Sequence, residues 1–124
     1  MHTIIIANWK QHPATEQEAI VLAKASDYTA FVICPSHGFL DSVRGVLRNA
    51  CLGAQDYAPD LVEHGVSHVL IGHSDRRKEG DTNDIIAEKL ALAVADGLIP
   101  ILCVGENADQ RNQGQKESVI REQV

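Results

Sequence analysis

Five short apolar runs rich in β-branched residues punctuate this chain, at positions 3–7, 30–34, 51–55, 66–71 and 98–104. Runs that are apolar throughout, rather than alternating, fit strands buried on both faces, as in parallel sheets. Helical patterns lie between them. Thr15 and Glu18 have the spacing of a capping box, and Ala19, Leu22 and Ala23 give the following segment an apolar face. Ser36 is placed to cap a second helix, in which Phe39, Val43, Val46 and Leu47 share one face. The stretch 59–64 has room only for a short helix, ended by Gly65. Thr82 or Asn83 caps the clearest helix, 84–96, which Ile86, Leu90, Ala93 and Val94 face and Gly97 ends. A last helix begins near Gln115. The order is strand and helix four times, then a strand and part of a helix, in one domain over 1–124.

The formal net charge is -6, from 11 basic and 17 acidic side chains. That argues against nucleic acid or an anionic membrane as partner, and any phosphate site has to be local. Cys34, Cys51 and Cys103 show no metal-type spacing, and an odd count reads as reduced core thiols of a cytoplasmic protein. Met1-His2-Thr3 runs directly into a strand pattern without a signal peptide, and no apolar run approaches the roughly 20 residues of a membrane span.

Chemistry-bearing residues gather where the strands end. Gly72-His73-Ser74-Asp75-Arg76-Arg77 follows Val69-Leu70-Ile71, and Asn8-Trp9-Lys10 follows Ile4-Ile5-Ile6. In α/β proteins ligands bind at the carboxyl edge of the sheet, where helix N-termini turn their N–H groups outward. The pattern alone permits either a five-stranded doubly wound sheet or part of a barrel.

Four pieces in this order, Ala7-Asn8-Trp9-Lys10, Gly53-Ala54-Gln55, Gly72-His73-Ser74-Asp75-Arg76-Arg77 and Cys103-Val104-Gly105-Glu106, closely resemble the triosephosphate isomerase family. The likeness runs from Ile4 to about Gly114. It implies a TIM barrel, but a whole barrel needs about 250 residues, so 124 residues make a partial one. The expected fold is a half-barrel of five parallel βα-type strands with outer helices.

Established family roles, carried over with the resemblance, make His73 the catalytic electrophile that polarises a carbonyl, and Asn8 and Lys10 substrate-binding residues. The substrate implied is a small phosphorylated triose, with no cofactor and no metal. Trp9 is expected to pack and Ser74 to start a turn or helix. Cys103 and Glu106 are expected to hold the end of strand five, and Arg76 and Arg77 to pair with carboxylates. Three departures stand out. The family's catalytic glutamate follows strand six and its phosphate loops follow strands seven and eight, and this sequence contains neither. The isolated chain is therefore expected to have little or no isomerase activity. Asp75 replaces the family's glutamate and is one methylene shorter, which weighs against its pairing with Lys10. Only 16 residues separate Gln55 from Gly72, too few for the loop that the family inserts into a partner subunit. Unpaired edge strands and an open apolar concave face point instead to a homo-oligomer, most simply a dimer, or to a complementary C-terminal half-barrel.

Overall fold

The computed structural model describes residues 2–124. In chain order the elements are β1 (Ile5–Asn8), α1 (Glu16–Ala25), β2 (Phe31–Cys34), a 3-10 turn (His37–Phe39), α2 (Leu40–Val46), β3 (Cys51–Ala54), β4 (His68–Ile71), α3 (Ser74–Lys78), α4 (Asn83–Ala95), β5 (Ile99–Leu102), α5 (Ala108–Asn112) and α6 (Lys116–Gln123).

The five strands form one sheet in the order β1-β2-β3-β4-β5, and every pairing is parallel. A doubly wound sheet reverses its order at a switch point. None occurs here, so the fold is an α/β half-barrel, a partial TIM barrel. Ala19 and Ala23 of α1, Leu40 and Val43 of α2, and Ile86 and Ala93 of α4 pack in one core with Ile33, Leu52, Ala54, Val69 and Ile71. These strand residues alternate with Val32, Cys34 and Leu70, which form a second cluster on the other, concave face with Ile101 and Cys103.

That concave face is less open than a bare half-barrel would leave it. Gly53 lies at its middle. A Cβ there would fall 2.5 Å from Cys34 Sγ and 2.8 Å from Val32 Cγ1, so the neighbouring side chains occupy the space a residue would fill. Val32, Cys34 and Leu70 are consequently buried. Burial also pushes the Cys34 thiol up to about 12. Along the sheet, the large apolar side chains left exposed are at its two margins: Ile4, Ile5 and Ile6 at one, Ile99 and Val104 at the other. Cys51 is exposed rather than buried, because it opens β3 before the strand enters the core.

The helix starts follow the sequence in part. Thr15 Oγ1 accepts from the Glu18 N–H at 3.3 Å, and Thr82 Oγ1 accepts from the Ile85 N–H at 3.3 Å. Ser36 does not cap α2. Its hydroxyl donates to the Lys10 carbonyl, and the chain makes a 3-10 turn before α2 begins at Leu40. The stretch 59–64 forms isolated turns rather than a helix, with Glu63 N–H bonded to Asp60 O and Gly65 N–H to Val62 O. A segment that short gains too few hydrogen bonds to offset helix nucleation. The crossover from β3 to β4, residues 55–67, therefore has no helix. Two short helices, α3 and α5, had no apolar period to announce them. α5 is held by a complete capping box between Asn107 and Gln110.

Asp27, in the loop after α1, ties that loop to the one before β3. Its carboxylate accepts from the N–H groups of Arg48 at 2.8 Å, Asn49 at 2.8 Å and Ala50 at 2.7 Å. The Ala50 bond does most to hold the Asp27 carboxyl below its usual 3.8. On acidification the unfolded chain takes up this proton before the folded one does. The contribution of Asp27 is thus complete above pH 3.8 and lost as pH falls through its lower folded value. Asp27→Ala is expected to melt below the parent at neutral pH, and the gap should close on titration into acid, as thermal denaturation at a series of pH values will show.

Candidate functional site at the carboxyl end of the strands

Asn8 ends β1, and its Oδ1 accepts the Lys10 N–H at 2.9 Å, closing a tight side-chain turn. Lys10 adopts φ 55°, a left-handed conformation that costs a residue with a side chain about 1–2 kcal/mol. Two further bonds hold it there. The Lys10 carbonyl accepts from Ser36 Oγ at 3.1 Å and from Gln55 Nε2 at 2.7 Å. Gln55 also donates to the Cys34 carbonyl at 3.1 Å, so one amide joins the ends of the first three strands. Trp9 packs against the helix-side core, as expected of it.

His73 is set by the end of β4. Gly72 takes φ 74°, a conformation that strains any other residue, and a Cβ there would lie 3.0 Å from Arg77 Nη2 and from Ile86 Cδ1, so those side chains would have to shift. The chain then turns into α3 with His73 at its N-cap. Both ring nitrogens of His73 are buried and make no hydrogen bond among the described residues. Lys10 and His73 line one cavity of about 380 Å³ together with Gln55, Asp75, Asp56 and Glu79. Asn8 is not part of its wall and bears on the cavity through Lys10.

Lys10 Nζ lies 3.4 Å from Asp75 Oδ2. The shorter carboxylate therefore does reach the lysine, contrary to the expectation from its length. The other two carboxylates of the cavity are also engaged. Glu79 bonds Arg76 Nη1 at 2.6 Å, and Asp56 Oδ2 lies 2.9 Å from Lys89 Nζ. Arg76 Nε is 3.0 Å from Asp56 Oδ2, near enough for an ion pair but off the line of a hydrogen bond. Asp81 completes the network at 2.6 Å from Lys89 Nζ. Burial disfavours the charges of Asp81 and Lys89, yet their mutual bond prevails, so the Asp81 carboxyl is lowered and the Lys89 ammonium raised. Sequence reasoning assigned no role to Asp56, Asp81, Lys89 or the side chain of Gln55. Only Gln55 stood in a motif that could have flagged it; Lys89 reads as an ordinary polar position of α4.

Arg77 departs from expectation in not pairing with a carboxylate. It donates to the carbonyls of Gly72 at 2.7 Å and Cys103 at 3.1 Å and to Asn83 Oδ1 at 2.9 Å, joining β4, β5 and the start of α4. Burial depresses its pKa. A larger cavity of about 890 Å³ lies on this side, between α4, the loop after β5 and α6. It contains neither His73 nor Lys10, so the smaller cavity is the one the site residues share. Glu106 is bound by Arg111 at 3.0 Å, and Gln123 of α6 bonds both the N–H and the carbonyl of Gly105. Among the described residues, one group of side chains, His37, Asp60 and His64, converges closely enough to hold a metal ion.

An all-parallel sheet in sequential order, with helices outside and polar side chains converging at its carboxyl edge, is a segment of a (β/α) barrel. The triosephosphate isomerase family model matches residues 3–124, and the chain belongs to that family. A triosephosphate isomerase of Acidiphilium cryptum (strain JF-5) is 34% identical over 143 residues, taking in 100% of this chain and 56% of the relative. One of Magnetococcus marinus is 34% identical, with 98% of this chain and 56% of the relative matched. One of Herpetosiphon aurantiacus is 36% identical, with 94% and 56% matched. The chain thus spans about 56% of the length of these curated relatives and corresponds to their N-terminal portion.

Replacing Arg77 by lysine removes the planar fork that reaches three acceptors at once. Arg77→Lys is expected to lower stability by about 1–3 kcal/mol, since at least one buried carbonyl loses its partner. Urea denaturation of the two proteins measures the difference.

Proposed function

We propose that this chain supplies the electrophile and the substrate-binding cation of a triosephosphate isomerase site, and that the catalytic base comes from outside it. The reaction is the interconversion of dihydroxyacetone phosphate and glyceraldehyde 3-phosphate, a reaction of the cytoplasm. The observation that carries the reading is the pair of unpartnered nitrogens on His73, in a cavity shared with Lys10. Either neutral tautomer of the ring keeps one N–H, and with no protein acceptor nearby that N–H is free for a substrate carbonyl oxygen. The Lys10 ammonium, held by its clamped backbone, is suited to the substrate's negative charge.

Enolisation also needs a base over the carbon, and general base catalysis contributes roughly 10²–10⁴-fold. Asp56, Asp75 and Glu79 line the cavity, but each is held in an ion pair. The isolated 124 residues are therefore expected to interconvert the trioses only at the level of an identically purified His73→Ala control. Joined by a complementary C-terminal half-barrel from a relative, the chain should gain activity, and His73→Ala should then lower it about 10²–10⁴-fold, the usual weight of a positioned proton donor. A parent chain faster than its control by itself would overturn the missing-base account. A complemented pair indifferent to His73→Ala would overturn the role of His73.

A second reading, self-association, rests on the margins of the sheet. β1 and β5 each lack a neighbour on one side among the described residues. Ile4 is 56% exposed and Ile99 is 54% exposed. Unpaired edges with apolar flanks favour pairing with another chain. A homodimer is expected in sedimentation equilibrium at micromolar concentration, and a clean monomer would exclude it.

A further inference from the structure

On the outer side of the site, two segments distant in sequence bring two imidazoles and a carboxylate together. His37 comes from the 3-10 turn after β2, and Asp60 and His64 come from the helix-less connection between β3 and β4. His37 Nε2 lies 3.0 Å and His64 Nε2 lies 3.2 Å from the same oxygen, Asp60 Oδ2. The rings meet edge to face with centroids 5.5 Å apart. On its far side His64 Nδ1 lies 2.7 Å from Asp41 Oδ1, on α2.

Between two carboxylates His64 is either an imidazolium, which donates to both, or a neutral ring that leaves a place for another cation. An ionised carboxylate only accepts, so the bond to Asp41 places the hydrogen of a neutral His64 on Nδ1. The lone pair of Nε2 then faces the carboxylate oxygen of Asp60, acceptor against acceptor. The second oxygen, Asp60 Oδ1, is buried and has no partner. The two separations from Asp60 Oδ2 match those of ligand atoms around a small divalent ion, and all three ligand atoms lie within 4.8 Å of one another. Bonds of about 2.0–2.2 Å at a tetrahedral angle put neighbouring donors roughly 3.3 Å apart. A histidine whose other nitrogen is held by a carboxylate is also the usual outer-shell arrangement of a metal-bound imidazole. Two neutral imidazoles and two carboxylates carry a charge that one divalent ion cancels. The mixed nitrogen and oxygen set suits zinc, cobalt or nickel rather than calcium or magnesium.

We propose that His37, Asp60 and His64 form a site for a divalent transition-metal ion of the zinc class, with Asp41 orienting His64. Asp60 Oδ1 or a water fills the fourth position. The ion joins the connection before β4 to the segment after β2, which no helix does. Because His37 also lines the cavity of Lys10 and His73, the ion fixes one wall of that cavity.

The test is calorimetric titration of the chelator-stripped chain with zinc, and cobalt titration read by the visible absorption of tetrahedral cobalt. A single equivalent bound, tetrahedral cobalt bands and a melting temperature that rises with zinc are expected. His37→Ala, at a half-exposed side chain where folding is not in question, should abolish the bands, and His37→Ala with His64→Ala should abolish the heat as well. Asp41→Asn should weaken binding about 10–100-fold, as loss of an outer-shell partner does. His12→Ala, at an exposed histidine outside the cluster, should change nothing. No heat and no cobalt bands would overturn the proposal, and so would binding that survives the double variant.

Discussion

Parallel pairing is the constraint on which this molecule depends. A strand cannot turn straight back to lie parallel to its neighbour, so each step along the sheet needs a crossover, and crossovers of one hand keep to one face. Four such steps in sequential order place α1, α2 and α4 in one layer against Ile33, Leu52, Val69 and Ile71. They also bring every strand's carboxyl end to the same rim. Asn8, Gln55 and His73 need no long-range code to find one another there, since Asn8 ends its strand and the other two follow theirs by a residue or two.

Backbone carbonyls do most of the work of holding that rim together. Gln55 takes the carbonyls of Lys10 and Cys34, Ser36 takes that of Lys10 again, and Arg77 takes those of Gly72 and Cys103. Such bonds fix the main chain and leave other groups free: His73 keeps both ring nitrogens unpartnered. The carboxylates are treated in the opposite way, each matched to a cation. The result is a site ready to donate hydrogen bonds and positive charge and poor in free bases.

The fold was legible because its signals are periodic. The five apolar runs, the Thr15 and Thr82 caps and the apolar face of α4 each follow from residue type and spacing, and the motifs at the strand ends carried the family. The remainder depends on tertiary partners. Nothing local tells that Ser36 prefers the Lys10 carbonyl to its own helix, or that Arg77 seeks carbonyls while Arg76 seeks carboxylates. α3 and α5 are polar all round, so only the Asn107–Gln110 box marks one of them. The partial closure of the concave face turns on a single missing side chain at Gly53, whose consequence appears only when Val32 and Cys34 lean over it.

The bare connection between β3 and β4 has a consequence for how the sheet assembles. At residues 55–67 it is thirteen residues long, against the twenty-seven of residues 72–98 that separate β4 from β5. Closing a chain of half the length saves about 0.6 kcal/mol of loop entropy. Neither helix formation nor helix docking has to precede the closure. Among the four parallel pairings, β3 with β4 is therefore the one the unfolded chain reaches with least ordering, and assembly of the sheet is fastest when it spreads from the middle toward both margins.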